Sequence, residues 1–171
     1  MPGPAPAKTL LVVYHTMTGG TRQMAEAAAH GADSVTGNSV QVRLLRAPEA
    51  QAEDVLGADG YLFATPENLA SMSGLMKDFF DRTYYAALDR INARPYAALI
   101  CAGSDGQGAA RQIERIALGW RLEAIAPATI VITHAQTPER ILQPKLIHHD
   151  DLRRCEEVGA TLGAGIEMGL F

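Results

Sequence analysis

Hydrophobic and polar positions follow two periods along this chain, and the two take turns. Solid apolar runs at residues 9–14 (TLLVVY), 61–64, 96–102 and 128–133 predict strands buried on both faces. Residues 40–45 alternate instead, with Val40, Val42 and Leu44 set against Gln41 and Arg43, which predicts a half-exposed strand. Between these runs the period becomes helical. Met24, Ala28, Gly31 and Val35 share one face over residues 21–35, and Met72, Leu75, Met76, Phe79 and Phe80 do so over residues 71–88. Ile113, Ile116, Ala117 and Trp120 mark a helix over 110–120. Leu152, Cys155, Gly159, Leu162 and Ile166 mark a last helix from about Asp151, with Asp150 as its N-cap.

Strands that alternate with helices predict an α/β fold, because parallel neighbours need a crossover between them. The expected architecture is a doubly wound five-stranded parallel sheet in a three-layer sandwich. The order 2-1-3-4-5 puts the alternating strand at an edge. The fifth strand is apolar throughout yet falls at the other edge, so a cover is expected there, either residues 136–149 or a partner chain. Residues 1–8, rich in Pro and Ala, read as a loose tail, and residues 9–171 as a single domain without repeats or an internal linker.

Composition narrows the function classes. The chain has 171 residues, 47% apolar and 20% charged, which is globular rather than disordered. Fifteen basic against nineteen acidic residues give a net charge of −4, with no basic run, which argues against nucleic acid as a partner. No apolar run is long enough for a signal core or a membrane span, so no membrane partner is expected. The two cysteines, Cys101 and Cys155, have no metal-ligand spacing and suit a reducing, cytoplasmic setting.

In a doubly wound sheet, ligands bind beyond the carboxyl ends of the strands where the order reverses. The loops to inspect follow Tyr14, Ala64 and Ala102. The first reads His15-Thr16-Met17-Thr18-Gly19-Gly20-Thr21 and enters a helix. Its glycines allow amides to converge, its threonines add hydroxyls, and the helix start adds roughly half a positive charge. That is a phosphate cradle. It lacks the GK[ST] of a Walker loop and the GxGxxG of a dinucleotide fold. Holding an anion therefore falls to amides and hydroxyls, with Arg22 as the nearest cation. These residues alone do not select one phosphorylated ligand over another.

The segment Thr16-Met17-Thr18-Gly19-Gly20-Thr21 resembles the [ST]-x-T-G-x-T phosphate loop of flavodoxin-like proteins. Thr65-Pro66-Glu67-Asn68-Leu69-Ala70, continuing through Met72 to Arg82-Thr83, is similar to a stretch of the flavodoxin-like NAD(P)H:quinone reductases, the Trp repressor-binding-protein group, and their NADPH-dependent FMN reductase relatives. Ala102-Gly103-Ser104-Asp105-Gly106-Gln107-Gly108 resembles the loop that closes over FMN in these families. The resemblance implies FMN as cofactor, with its phosphate in the first loop and its ring between the second and third. NADH or NADPH would serve as transient electron donor.

Many electron-carrier flavodoxins sandwich the flavin between aromatic side chains of those two loops, and this chain has none there. An open ring face suits a stacked nicotinamide that passes hydride to the flavin. The expected function is thus an FMN-dependent oxidoreductase taking hydride from NAD(P)H and reducing a small-molecule acceptor such as a quinone or flavin. No catalytic residue is assigned, because the cofactor carries the chemistry. Glu67 and Asp105 are expected to bring carboxylates near the ring. Two alternatives fit the same residues: a flavodoxin-type electron carrier and a cofactor-free interaction module. Direct reduction by NAD(P)H separates the first reading from both.

Other tempting residues read plainly. His148-His149-Asp150-Asp151 is a helix cap with no metal assigned, His134 a loop histidine, and Cys101 a small buried hydrophobe. Phe80, Tyr84 and Leu88 widen the apolar arc of the 71–88 helix, which predicts a homo-oligomer, dimer or tetramer.

Overall fold

The computed structural model describes residues 2–171. In chain order the first elements are β1 (Lys8–Tyr14), α1 (Gly20–Thr36), β2 (Val40–Arg46), α2 (Ala52–Gly57), β3 (Gly60–Asn68), β4 (Ser71–Met72) and α3 (Gly74–Ala87). Then come β5 (Pro95–Ala102), α4 (Gln107–Gly119), β6 (Glu123–Ala124), β7 (Thr129–Ile132), α5 (Pro138–Leu142) and α6 (His149–Met168). The main sheet runs β2-β1-β3-β5, and β6 and β7 both pair in parallel with β5. This is the expected order, with one refinement: the fifth strand is in two pieces. Pro127 lies in the break, where its missing N–H cannot join a ladder.

Strand side chains alternate between two cores. Leu11 and Val13 of β1 join Tyr61, Phe63, Ile100, Phe79, Phe80 and Trp120 on the face covered by α2, α3 and α4. Leu10 and Val12 join Leu62, Leu99, Met24, Ala28, Cys155 and Leu162 on the face covered by α1 and α6. Both faces of the central strands are thereby dry, which is why their sequences run solidly apolar. β2, hydrogen-bonded only to β1, keeps the partly exposed pattern of an edge.

The apolar fifth strand finds its cover within the chain. Val131 packs with Ile147, which is buried, and Ile130 and Ile132 pack against the aromatic core on the opposite face. The wide arc of α3 is likewise absorbed internally. Phe80 is buried, Tyr84 stacks on Trp120 with ring centroids 5.6 Å apart, and Leu88 packs on the same core. These residues therefore supply no argument for a subunit interface.

Three local boundaries differ from expectation. Residues 71–72 form a strand rather than the first turn of α3, because Ser73, not Ser71, caps that helix by accepting a hydrogen bond from the Met76 amide. α6 starts at His149, and its cap is His148, whose Nδ1 accepts from the Asp150 amide. α2 and α5 are too short for periodicity to reveal. No helix of the described residues is long and apolar enough to cross a membrane.

Candidate functional site

At the carboxyl ends of β1, β3 and β5 lies a cavity of about 700 Å³, within the roughly 300–1,000 Å³ typical of ligand sites. Thr16, Met17, Thr18, Gly20 and Thr21 form one end. Pro66, Glu67, Asn68, Leu69 and Ala70 form a wall, and Ala102, Gly103 and Ser104 another. The remaining predicted residues support these walls without lining them. Gly19 is the N-cap of α1 at φ 89°, a left-handed conformation that favours glycine. Thr65 and Met72 are buried beneath the second loop. Asp105 is exposed, and Gly106 and Gly108 belong to the start of α4.

The first loop is arranged for an anion. No side chain caps α1, and its first helical bond runs from the Gln23 amide to the Gly19 carbonyl. The amides of Gly20, Thr21 and Arg22 precede that bond and lack intrahelical acceptors. Thr16 Oγ1 accepts from the Gly19 amide at 2.9 Å, which leaves its own hydroxyl proton free to donate. Arg22 does not line the cavity; its guanidinium faces Glu26 at 3.9 Å. The cation at this loop is Lys145, invisible to a reading of the loop alone. Its ammonium lies 3.3 Å from Thr18 Oγ1, and its amide donates to the Thr18 carbonyl at 2.8 Å. Ala135, Gln136 and Ile141 line the cavity from the same segment.

The second loop is a tight hairpin. Glu67 pairs with Met72 and Asn68 with Ser71, leaving Leu69 and Ala70 as the two turn residues. Both have positive φ, 52° and 62°, the conformation of a type I′ turn, where Asn-Gly is the favoured pair. Leu69 is fully exposed at the tip. Glu67 holds this hairpin to α4. Its Oε1 accepts from the Gly106 amide at 2.8 Å and its Oε2 from the Ala109 amide at 3.1 Å. The carboxylate thus caps a helix whose own N-cap, Gly106, has no side chain. It is engaged with backbone amides rather than free, and Asp105 lies outside the lining, so of the expected pair of carboxylates only Glu67 borders the cavity. Gln112 Oε1 completes the clamp by accepting from the Met72 amide at 2.8 Å and the Ser71 hydroxyl at 3.0 Å. Gly108 is required for this contact, since a Cβ there would stand 2.1 Å from the Ala70 carbonyl oxygen.

Beneath the cavity a polar chain joins the first two loops. His15 Nδ1 meets Ser73 Oγ at 2.8 Å, and Ser73 Oγ accepts from Thr65 Oγ1 at 3.2 Å. Burial, with the Arg46 charge adding to it, lowers the His15 pKa below its usual value, so the ring is neutral here at neutral pH. Cys101 lines the cavity, but burial pushes its thiol to about 11 against the smaller opposing effects of Lys145 and Thr21. A protonated thiol is a poor nucleophile, in keeping with a packing role. His148, His149 and Asp150 bring potential ligand atoms within 4.8 Å of one another, all exposed and outside the cavity. His134 is exposed at positive φ after β7 and lines an adjoining hollow that shares Thr133, Ala135 and Lys145 with the cavity.

A doubly wound sheet with its cradle at the β1/β3 switch point defines a flavodoxin-like protein, and known structures agree on the fold. A flavodoxin from the domain Archaea superposes with a TM-score of 0.76 at 19% identity, covering 93% of this chain and 99% of its own. A flavodoxin-like, WrbA-like protein from Agrobacterium tumefaciens gives 0.70 at 17% identity, covering 95% and 99%. Residues 9–137 match the model of the NADPH-dependent FMN reductase family, and the chain belongs to that family. A protein named flavodoxin from Aquifex aeolicus is 40% identical over 99 residues, 58% of this chain and 52% of that protein. One named NAD(P)H dehydrogenase (quinone) from Acidithiobacillus ferrooxidans is 39% identical over 92 residues, 43% of this chain and 46% of that protein. The matches span about half the length of these curated relatives.

Proposed function

We propose that this protein is an FMN-dependent oxidoreductase that takes hydride from NADPH or NADH and reduces a quinone, a flavin or a similar small acceptor. The observation that carries this reading is the cavity itself: an anion cradle at one end and walls without an aromatic side chain. FMN, when bound, supplies the hydride and electron chemistry.

The chain's own residues do three things. Thr16, Thr18 and the free amides of Gly20 and Thr21 would hold the phosphate. Glu67 and Gln112 fix the hairpin wall against α4, so that Pro66, Leu69 and Ala70 face the cavity in one position. Met17, Leu69 and Ile141, each about half-exposed or more, give the mouth an apolar rim suited to a planar acceptor. None of these residues moves a proton in the hydride step, and none is assigned as catalytic.

Steady-state kinetics of the FMN-loaded protein test the proposal. Varying NADPH at several fixed quinone concentrations should give parallel double-reciprocal lines, because both substrates use the same open face in turn. Lack of turnover with either nucleotide, in a protein that retains its flavin, would make it an electron carrier, the reading favoured by its similarity to the Aquifex flavodoxin.

A further inference from the structure

We infer that Lys145, far along the chain from the phosphate loop, is the residue that balances the ligand's phosphate charge and makes the site selective for a phosphorylated flavin over its dephosphorylated form. This rests on the FMN reading above.

Three backbone and side-chain contacts staple residues 145–147 to the phosphate loop and the start of α1. The Lys145 amide donates to the Thr18 carbonyl. Gln23 Nε2 donates to the carbonyls of both Gly19 and Lys145, at 2.9 and 2.8 Å, and Gln23 Oε1 accepts from the Ile147 amide at 3.1 Å. Gly20 makes room, for a Cβ there would meet Cys101 Sγ at 2.8 Å and Lys145 Cβ at 3.3 Å. The segment therefore sits in a fixed register on the cradle.

Within that register the ammonium of Lys145 is held by oxygen dipoles alone. It donates to the carbonyls of Arg140, Ile141 and Gln143 at 2.8, 2.9 and 2.6 Å and lies 3.3 Å from Thr18 Oγ1. Among the described residues it makes no ion pair with a carboxylate. The lysine is half-buried and lines the cavity beside the uncapped start of α1. A full positive charge and several free amides thus face the same space with no anion of the protein between them. The three ammonium protons are taken by the three carbonyls, so the lysine acts on a bound anion as a charge held beside the loop, while the Thr18 hydroxyl keeps its own proton for a ligand oxygen.

Equilibrium titration of the flavin-free protein with FMN and with riboflavin, read by flavin fluorescence, tests this. Wild type should prefer FMN, and the preference should shrink with added salt. Lys145→Met should weaken FMN by at least about tenfold, the scale of one lost charge contact, and leave riboflavin within about twofold. Lys145→Arg should recover most of the preference. An unchanged FMN-to-riboflavin ratio in Lys145→Met, whether both affinities hold or both fall as the segment detaches, would overturn the inference. A wild type that binds FMN and riboflavin equally would overturn the FMN reading itself, and this inference with it.

Discussion

Glu67 offers a quantitative test of how the site is held together. Replacing it by alanine removes both acceptors from the start of α4 and frees the hairpin that forms one wall. Two amide bonds to a charged acceptor, at 2.8 and 3.1 Å, are at stake. Hydrogen bonds to charged groups contribute about 1.5–3 kcal/mol each, and a lost N-cap costs about 0.5–2 kcal/mol. The carboxylate is half-buried and the two bonds share one side chain, so about 2–3 kcal/mol for the pair is the expected loss. For a chain of this length that lowers the melting temperature by about 5–10 °C. Glu67→Gln keeps one acceptor and loses the charge, and should cost about half as much. Chemical denaturation of both variants without flavin measures these differences directly, and flavin titration should show weakened binding in the alanine variant. A midpoint for Glu67→Ala within about 0.5 kcal/mol of wild type would refute the capping role, because that is the range of an inconsequential surface change. Equal losses in the two variants would show that charge alone, rather than two directed bonds, holds the wall.

Three further outcomes follow from geometry elsewhere. Changing Leu69-Ala70 to Asn-Gly relieves two left-handed non-glycine residues and should raise stability by about 1–3 kcal/mol in a denaturant titration; a loss would show that the Leu69 side chain is needed for folding. In Gly159→Ala a new Cβ would stand 1.8 Å from the Ala28 carbonyl oxygen, forcing α1 and α6 apart, so stability should fall by about 3 kcal/mol, and a melting temperature like that of wild type would contradict this packing. The lowered His15 pKa means that the unfolded chain takes up a proton first as pH falls, so stability should drop below about pH 6.5, and His15→Gln should flatten that dependence relative to wild type.

The sequence carried most of the frame because burial on both faces leaves an unbroken apolar run. Residues 9–14 and 96–102 announce central strands, and the alternation of Val40, Val42 and Leu44 announces an edge. The cradle was legible because its glycines, threonines and helix start are consecutive. What escaped the sequence depends on contacts between distant segments. Lys145 reaches Thr18 across 127 positions, and Glu67 caps a helix that begins forty residues later. Periodicity registers neither. The apparent excess of apolar surface on α3 had the same origin, for Trp120 and Tyr84 meet only once α4 has folded back. Where apolar spacing predicts helix at Ser71, the chain instead makes a strained hairpin that Gln112 and Gly108 hold from outside.

The central claim is that a flavin held in this cavity takes hydride directly from a nicotinamide nucleotide. Anaerobic rapid mixing of the FMN-loaded protein with NADPH, and separately with NADH, tests it by following the visible flavin band. The account predicts full bleaching in a single phase whose rate saturates with nucleotide concentration, and recovery of the band on adding a quinone. A band that persists with both nucleotides, yet bleaches with a chemical reductant, would contradict it.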